Sequence, residues 1–369
     1  MQKTFIINVS RLKVKYLYLM ALLSTMLLIF NLATINKEWH PRYDEMVSAA
    51  QKLAGAITIC QDSTHLSKKI WDTGYPGLIG LEFSPITTTI GNLEAKKTAL
   101  NPDFAALFIN WFDRFNLQKD DKVVIQASGS FPTLAIAAII SCETFGLEPV
   151  IFSSAGASSF GANHPEFTYW DIEALLFRAG RINHKTILAT PGAENDNGSS
   201  FWEGGMEIVK QAAKRNGYDL IIPQNLNQAV AIKYNYIKKF DRISLFINIG
   251  GNQSATGNSP ASTLIPSGLI TEQIEHSGPG SGLIHILNRD GIPVINMLQI
   301  KNLAAEHQIA LSPAAFSDQQ NSGIYFRKNK PDWITLVSLL CLILTGLILR
   351  RRSSDPNLPD AIKVKNKMD

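Results

Sequence analysis

The segment KVVIQASGSFPTLAIAAIISCETFGLEPVIFS, residues 122–153, decides the fold class. Lys122 to Gln126 is a short apolar run without alternation, the mark of a strand buried on both faces. Ala127-Ser-Gly-Ser-Phe-Pro132 turns the chain, and Thr133 to Phe145 is a helix closed by Gly146. Pro149 to Ser153 is a second buried strand. Strand, helix and strand in this order predict a parallel βαβ unit.

The pattern continues toward the C-terminus. It predicts a helix over 171–179, a strand from Lys185 to Ala189, and a helix near 203–216. A strand from Asp219 to Ile222 and a helix over 226–240 follow. Ile243 to Ile249 is a strand running into Gly250-Gly251. A long polar loop ends at Gly278-Pro-Gly-Ser-Gly282, where a helix to Asn288 begins. Pro293 to Met297 is the last strand and 300–307 the last helix. Toward the N-terminus, residues 36–120 add a helix over 43–57, a strand at Gly80 to Phe83, and a helix opened by Asn101-Pro-Asp103. The expected fold is α/β: an open, doubly wound, largely parallel sheet, Rossmann-like, with no internal repeat.

Two apolar segments flank this domain. Tyr16 to Ile35 follows Lys3, Arg11, Lys13 and Lys15, and Trp333 to Leu349 precedes Arg350, Arg351 and Arg352. About 20 apolar residues cross a bilayer, and Lys and Arg favour the cytoplasmic side. A cleaved signal peptide and a buried core helix are the competing readings of the two segments. The spanning reading gives a cytoplasmic N-terminus (1–15), a transmembrane helix (16–35), and an outer domain in two parts (36–120 and 121–312). A linker (313–332), a second transmembrane helix (333–349) and a basic cytoplasmic tail (350–369) complete it. Membrane lipid is then a partner, and the large domain is extracytoplasmic.

Composition excludes several functions. Residues 36–332 hold 25 basic and 28 acidic side chains, so no basic surplus favours nucleic acid. Cys60, Cys142 and Cys341 are too few for a disulfide scaffold; Cys60 and Cys142 are either a pair or two buried thiols. The seven histidines are scattered without metal-ligand spacing, so no metal is expected. Neither a Rossmann glycine fingerprint nor a Walker loop is present, so no nucleotide cofactor is expected.

In such sheets ligands bind beyond the carboxyl ends of the strands. Ser128 and Ser130 lie in one such turn, where hydroxyls and N–H groups suit an anion or simply cap a helix. Glu194 and Asp196, with Glu203 close behind, suit an amine, a cation, a polyol or an acid–base pair, or form a solvated turn. Asn248, Gly250 and Gly251 end another strand, where glycines permit close approach or a positive φ. Gly280 and Ser281 precede a helix. Glu82, Ser84, Thr88, Glu94 and Lys96 form a polar patch that suits an amino-acid-like ligand or a capping-rich loop. The nucleophile elbow G-x-S-x-G is absent, and Gly156-Ala-Ser-Ser-Phe-Gly161 has the wrong spacing for it.

The blocks LIGLEFSPITTTIGNLEAKKTALNPDFAAL (78–107), VVIQASGSFPTLAIA (123–137), FINIGG (246–251) and GLIHILNRDGIPVINMLQIKNLA (282–304) resemble the bacterial poly-gamma-glutamate system protein family. The resemblance covers roughly 40 to 312 and is most specific in its first block. It implies a membrane-anchored bacterial protein with one large domain, beside the poly-γ-glutamate synthase membrane subunits; with the two apolar segments this gives a two-pass protein of the inner membrane. It also implies an accessory role in polymer synthesis, export or retention, with a γ-glutamyl polymer as a partner. It carries no catalytic residue. The alternatives are an extracytoplasmic hydrolase or transferase acting on γ-glutamyl bonds, and a non-catalytic scaffold docking the synthase through the membrane helices.

Overall fold

A computed structural model describes residues 14–34, 36–62, 78–274, 278, 280–311, 322–329 and 332–353. Most of the expected cytoplasmic ends (1–13 and 354–369) and most of the 313–332 linker lie outside these residues. The chain divides into one unit made of its ends, Met1–Trp39 with Phe326–Asp369, and a second unit, His40–Tyr325.

In chain order the first elements are α1 (Val14–Ala33), β1 (Asn36–Trp39), α2 (Tyr43–Asp62), α3 (Leu93–Ala99), α4 (Asp103–Arg114), β2 (Lys122–Ser128), α5 (Pro132–Phe145) and β3 (Glu148–Ser154). A short hairpin, β4 (Asn163–His164) and β5 (Phe167–Thr168), leads to α6 (Tyr169–Arg178), β6 (Leu188–Thr190), α7 (Gly205–Asn216), α8 (Leu226–Ile237) and β7 (Leu245–Ile249). The remaining elements are α9 (Gln253–Thr256), β8 (Gly268–Ile270), α10 (Leu283–Arg289), β9 (Val294–Met297), α11 (Ile300–Glu306), β10 (Phe326–Asn329) and α12 (Asp332–Ser353).

The larger unit is α/β. Its sheet has the order β6-β3-β2-β7-β9-β8, parallel throughout except for β8, which runs antiparallel to β9 at the edge. The strands succeed one another from β2 out to β6, then the chain returns to β7 on the other side of β2. That reversal is the topological switch point, and it lies between β2 and β7.

Helices cover both faces. On one, Val124, Phe152, Phe246 and Val294 meet Leu226 and Val230 of α8 and Leu283 and Leu287 of α10. On the other, α5 lies against β2, β3 and β7 and is itself covered by α2 and α4. This sandwiching explains why α5 is apolar all round: every residue from Pro132 to Cys142 is buried. Each large side chain so buried contributes roughly 1.5–3 kcal/mol. The helices α2 and α4 therefore serve as an outer layer of the core: Met46 and Leu53 of α2 and Phe104, Phe108 and Phe112 of α4 are fully buried.

Several expected elements differ. Asp219 to Ile222 forms only an isolated bridge, Leu220 to Ala189, because Pro223 follows and Ile222 is exposed. Gly80 to Phe83 is a loop. The strand expected at Lys185 to Ala189 is shifted to Leu188–Thr190. Pro132 itself occupies the first turn of α5, and the cap residue is Phe131 with no side-chain bond, so Ser130 is not the cap. Cys60 and Cys142 are buried free thiols rather than a disulfide.

In the unit of the chain ends, β1 and β10 pair antiparallel, with the Trp39 and Phe326 rings stacked at 4.3 Å. The helices α1 and α12 pack together, and Asn31 Nδ2 donates to Ser338 Oγ at 2.7 Å. Among the described residues one helix, Lys15–Ala33, is long and apolar enough to cross a membrane. The second apolar stretch, Trp333–Leu349, is shorter, which corrects the expectation of two spans of full length.

Candidate functional site

The switch point brings together residues from four loops at the carboxyl edge of the sheet. Ser128 ends β2, and its hydroxyl lies 3.4 Å from the Ile249 carbonyl at the end of β7. Gly250 follows with φ +87°, and a Cβ there would fall 2.3 Å from Ser128 Oγ. Only glycine permits that approach. Gly251 beside it is exposed. In β7, Asn248 Nδ2 donates to the Gly250 carbonyl at 2.9 Å and to Asn296 Oδ1 at 2.8 Å. Gln126 is its register neighbour on β2; that amide is fully buried and has no partner among the described residues.

One side of this edge is built around Asp196. Its carboxylate accepts from Lys233 Nζ at 2.6 Å, Thr190 Oγ1 at 2.9 Å and Asn252 Nδ2 at 2.8 Å. Lys233 also donates to Ser254 Oγ at 2.7 Å, and Asn252 to Ser154 Oγ at 3.1 Å. Both ions have no solvent exposure. Burial lowers the affinity of the Lys233 amine for its proton, and Asp196 opposes that shift. The network ties the loop after β6 to α8 and α9 and satisfies both charges.

The other side is built around Lys96. Asn92 caps α3 by accepting from the Ala95 N–H at 2.9 Å, which directs Lys96 inward. Its Nζ donates to the Ser130 carbonyl, lies 2.7 Å from Ser158 Oγ, and stands 3.8 Å from the centre of the Phe131 ring. Lys96 is 3 % exposed, and burial lowers its pKa to about 7. No carboxylate among the described residues forms an ion pair with it. Ser130 Oγ accepts from the Ser158 N–H at 3.0 Å.

The remaining candidates are dispersed. Glu82 and Glu194 are exposed, so Glu194 and the buried Asp196 do not form a shared acid–base pair. Ser84 is buried in a turn with Thr87, and the Thr88 N–H donates to the Ala157 carbonyl at 2.8 Å. Glu94 pairs with Lys97 at 3.2 Å on the surface. Gly280 and Ser281 line a different space, a groove of about 430 Å³ between α8 and α10 with Asn227, Tyr234 and Arg289.

Sequence reasoning missed Lys233, Asn252 and Ser154, and it set Ser158 aside on the spacing of its glycines. Lys233 carried a readable signal. It occupies the apolar stripe of α8 with Leu226, Val230 and Ile237, where a charge demands a buried partner. Comparison with protein families, with curated proteins and with solved structures finds no match to this chain.

Proposed function

We propose that this chain is a membrane-anchored accessory protein for poly-γ-glutamate synthesis, export or retention. Its outer domain binds an anionic or amino-acid-like ligand at the switch point between β2 and β7. The resemblance over residues 40 to 312 supports the pathway, and the general preference of ligands for the carboxyl edge of such sheets supports this location.

The observation that carries the anchoring is the outer surface of the α1–α12 pair. Leu22, Met26, Ile29 and Leu32 of α1 are 55–61 % exposed, as are Leu336 and Leu344 of α12, at 61 % and 56 %. Apolar surface of that extent is stable in lipid and costly in water. The antiparallel β1–β10 ribbon directly joins the two helices, so both run toward the same side. This supports insertion of the α1–α12 pair with both chain ends on one side, and Lys15 and Arg350 to Arg352 at those ends favour the cytoplasm.

Deletion of residues 40–325, with the helices retained, tests the role. The expected outcome is a change in the amount, chain length or attachment of surface polymer. Unchanged polymer in all three measures overturns it.

A further inference from the structure

The loop after β3 brings a hydroxyl, that of Ser158, against the Lys96 amine of α3, an arrangement that a pure binding role does not use. Gly156-Ala-Ser-Ser-Phe-Gly161 is held from several sides. A Cβ on Gly91 would lie 2.1 Å from the Ser159 carbonyl, and one on Gly161 would lie 2.7 Å from the Gly129 carbonyl. The Ala157 and Ser159 N–H groups donate to the Ile86 and Thr89 carbonyls at 3.3 Å and 2.9 Å. Phe160 adopts φ +60°, a conformation that a bulky side chain rarely takes. A turn so tightly constrained, with strain two residues from a serine, stores energy in positioning that serine.

We propose that Ser158 and Lys96 form a serine–lysine pair that transfers an acyl group from an amide or ester. The groups facing the amine are the Ser130 carbonyl, the Ser158 hydroxyl and the Phe131 ring, none of them charged. A neutral amine has two N–H donors and one lone pair. Donation to the Ser130 carbonyl leaves the lone pair for the Ser158 proton at 2.7 Å. Burial keeps the amine neutral in a large fraction of molecules near neutral pH, since its pKa is about 7.

The reaction balances with water as the only co-reactant. Ser158 Oγ bonds to the acyl carbon while its proton passes to Lys96 Nζ. The carbon–nitrogen or carbon–oxygen bond to the leaving group then breaks, and Lys96 returns the proton to that group. Water adds to the acyl-serine, giving its proton to Lys96. Ser158 leaves with that proton, and the acid is released. The Ala157, Ser158 and Ser159 N–H groups are already bonded, so the charge of the addition intermediate is met by the Lys96 ammonium rather than by backbone donors.

The test uses the full chain in detergent with a fluorophosphonate probe and peptide mapping. Labelling is expected at Ser158, rising with pH as Lys96 loses its proton, abolished in Ser158→Ala, and retained in Ser159→Ala. Lys96→Met is expected to slow it by about tenfold or more. Absence of a Ser158 adduct in the wild-type chain across the neutral range overturns the proposal, as does a pH-independent rate. The pH profile of the wild-type chain requires no variant to fold. Labelling is read without polymer, so its failure is separable from failure of the accessory role.

Discussion

Lys233 and Lys96 are buried amines at the carboxyl edge of one sheet, held in opposite ways. Lys233 meets the Asp196 carboxylate and the Ser254 hydroxyl, and the region is electrically closed. Lys96 meets a carbonyl, a hydroxyl and a ring, and burial alone sets its protonation. The first arrangement fastens loops together. The second leaves an amine able to exchange a proton. A buried charge with a partner is architecture, whereas a buried amine without one is available for binding or chemistry.

The comparison breaks most readily at Lys233. Lys233→Met strands the Asp196 carboxylate and is expected to cost about 3–5 kcal/mol in urea denaturation. Adding Asp196→Leu should recover most of that loss. A single-mutant cost below about 1 kcal/mol would remove the distinction between the two lysines. Gly250→Ala sits between the two regions and is expected to cost about 1–3 kcal/mol, from its left-handed φ and the Ser128 contact.

Lys96→Met sharpens the contrast through pH. Burial holds the folded-state pKa at about 7, against 10.5 for the free side chain. Between these values the unfolded chain binds a proton that the folded chain does not, so stability rises with pH. The destabilising effect of the buried amine is greatest below the lower value and fades toward the higher one. The stability of the wild type relative to Lys96→Met is thus expected to increase with pH across that window, read as urea midpoints at several pH values. Loss of the bond to Ser130 should cost about 0.5–1.5 kcal/mol once the amine is neutral. Glu194→Ala, on an exposed carboxylate, is expected to change stability by less than about 0.5 kcal/mol.

Much of the fold was legible. The runs at 122–126, 149–153 and 243–249 are apolar without alternation, and each is a central strand. The sequence around Thr133 to Phe145 marked a helix, and its burial on all sides follows from lying between the sheet and two further helices. Asp219 to Ile222 misled because a short apolar run near Pro223 pairs through one bridge only. The β1–β10 ribbon was invisible because Asn36-Lys-Glu-Trp39 has no strand-like composition and pairs with residues far along the chain. Ser128 and Gly250 do stand at strand ends, where local pattern placed them, but which side chains group with them was not readable. Glu94 and Lys96 are two residues apart on α3, yet Glu94 pairs at the surface while Lys96 turns inward.

The sequence by itself determined the alternation of strand and helix, the apolar ends, and the set of loops at which polar residues collect. These depend on local periodicity and composition, which neighbouring residues impose. Tertiary structure alone decided the strand order, hence the switch point between β2 and β7, and which of two lysines receives a carboxylate. Partners such as Asp196 and Lys233, or Lys96 and Ser158, lie many residues apart. Only the packing of distant segments selects which charges meet and which remain alone.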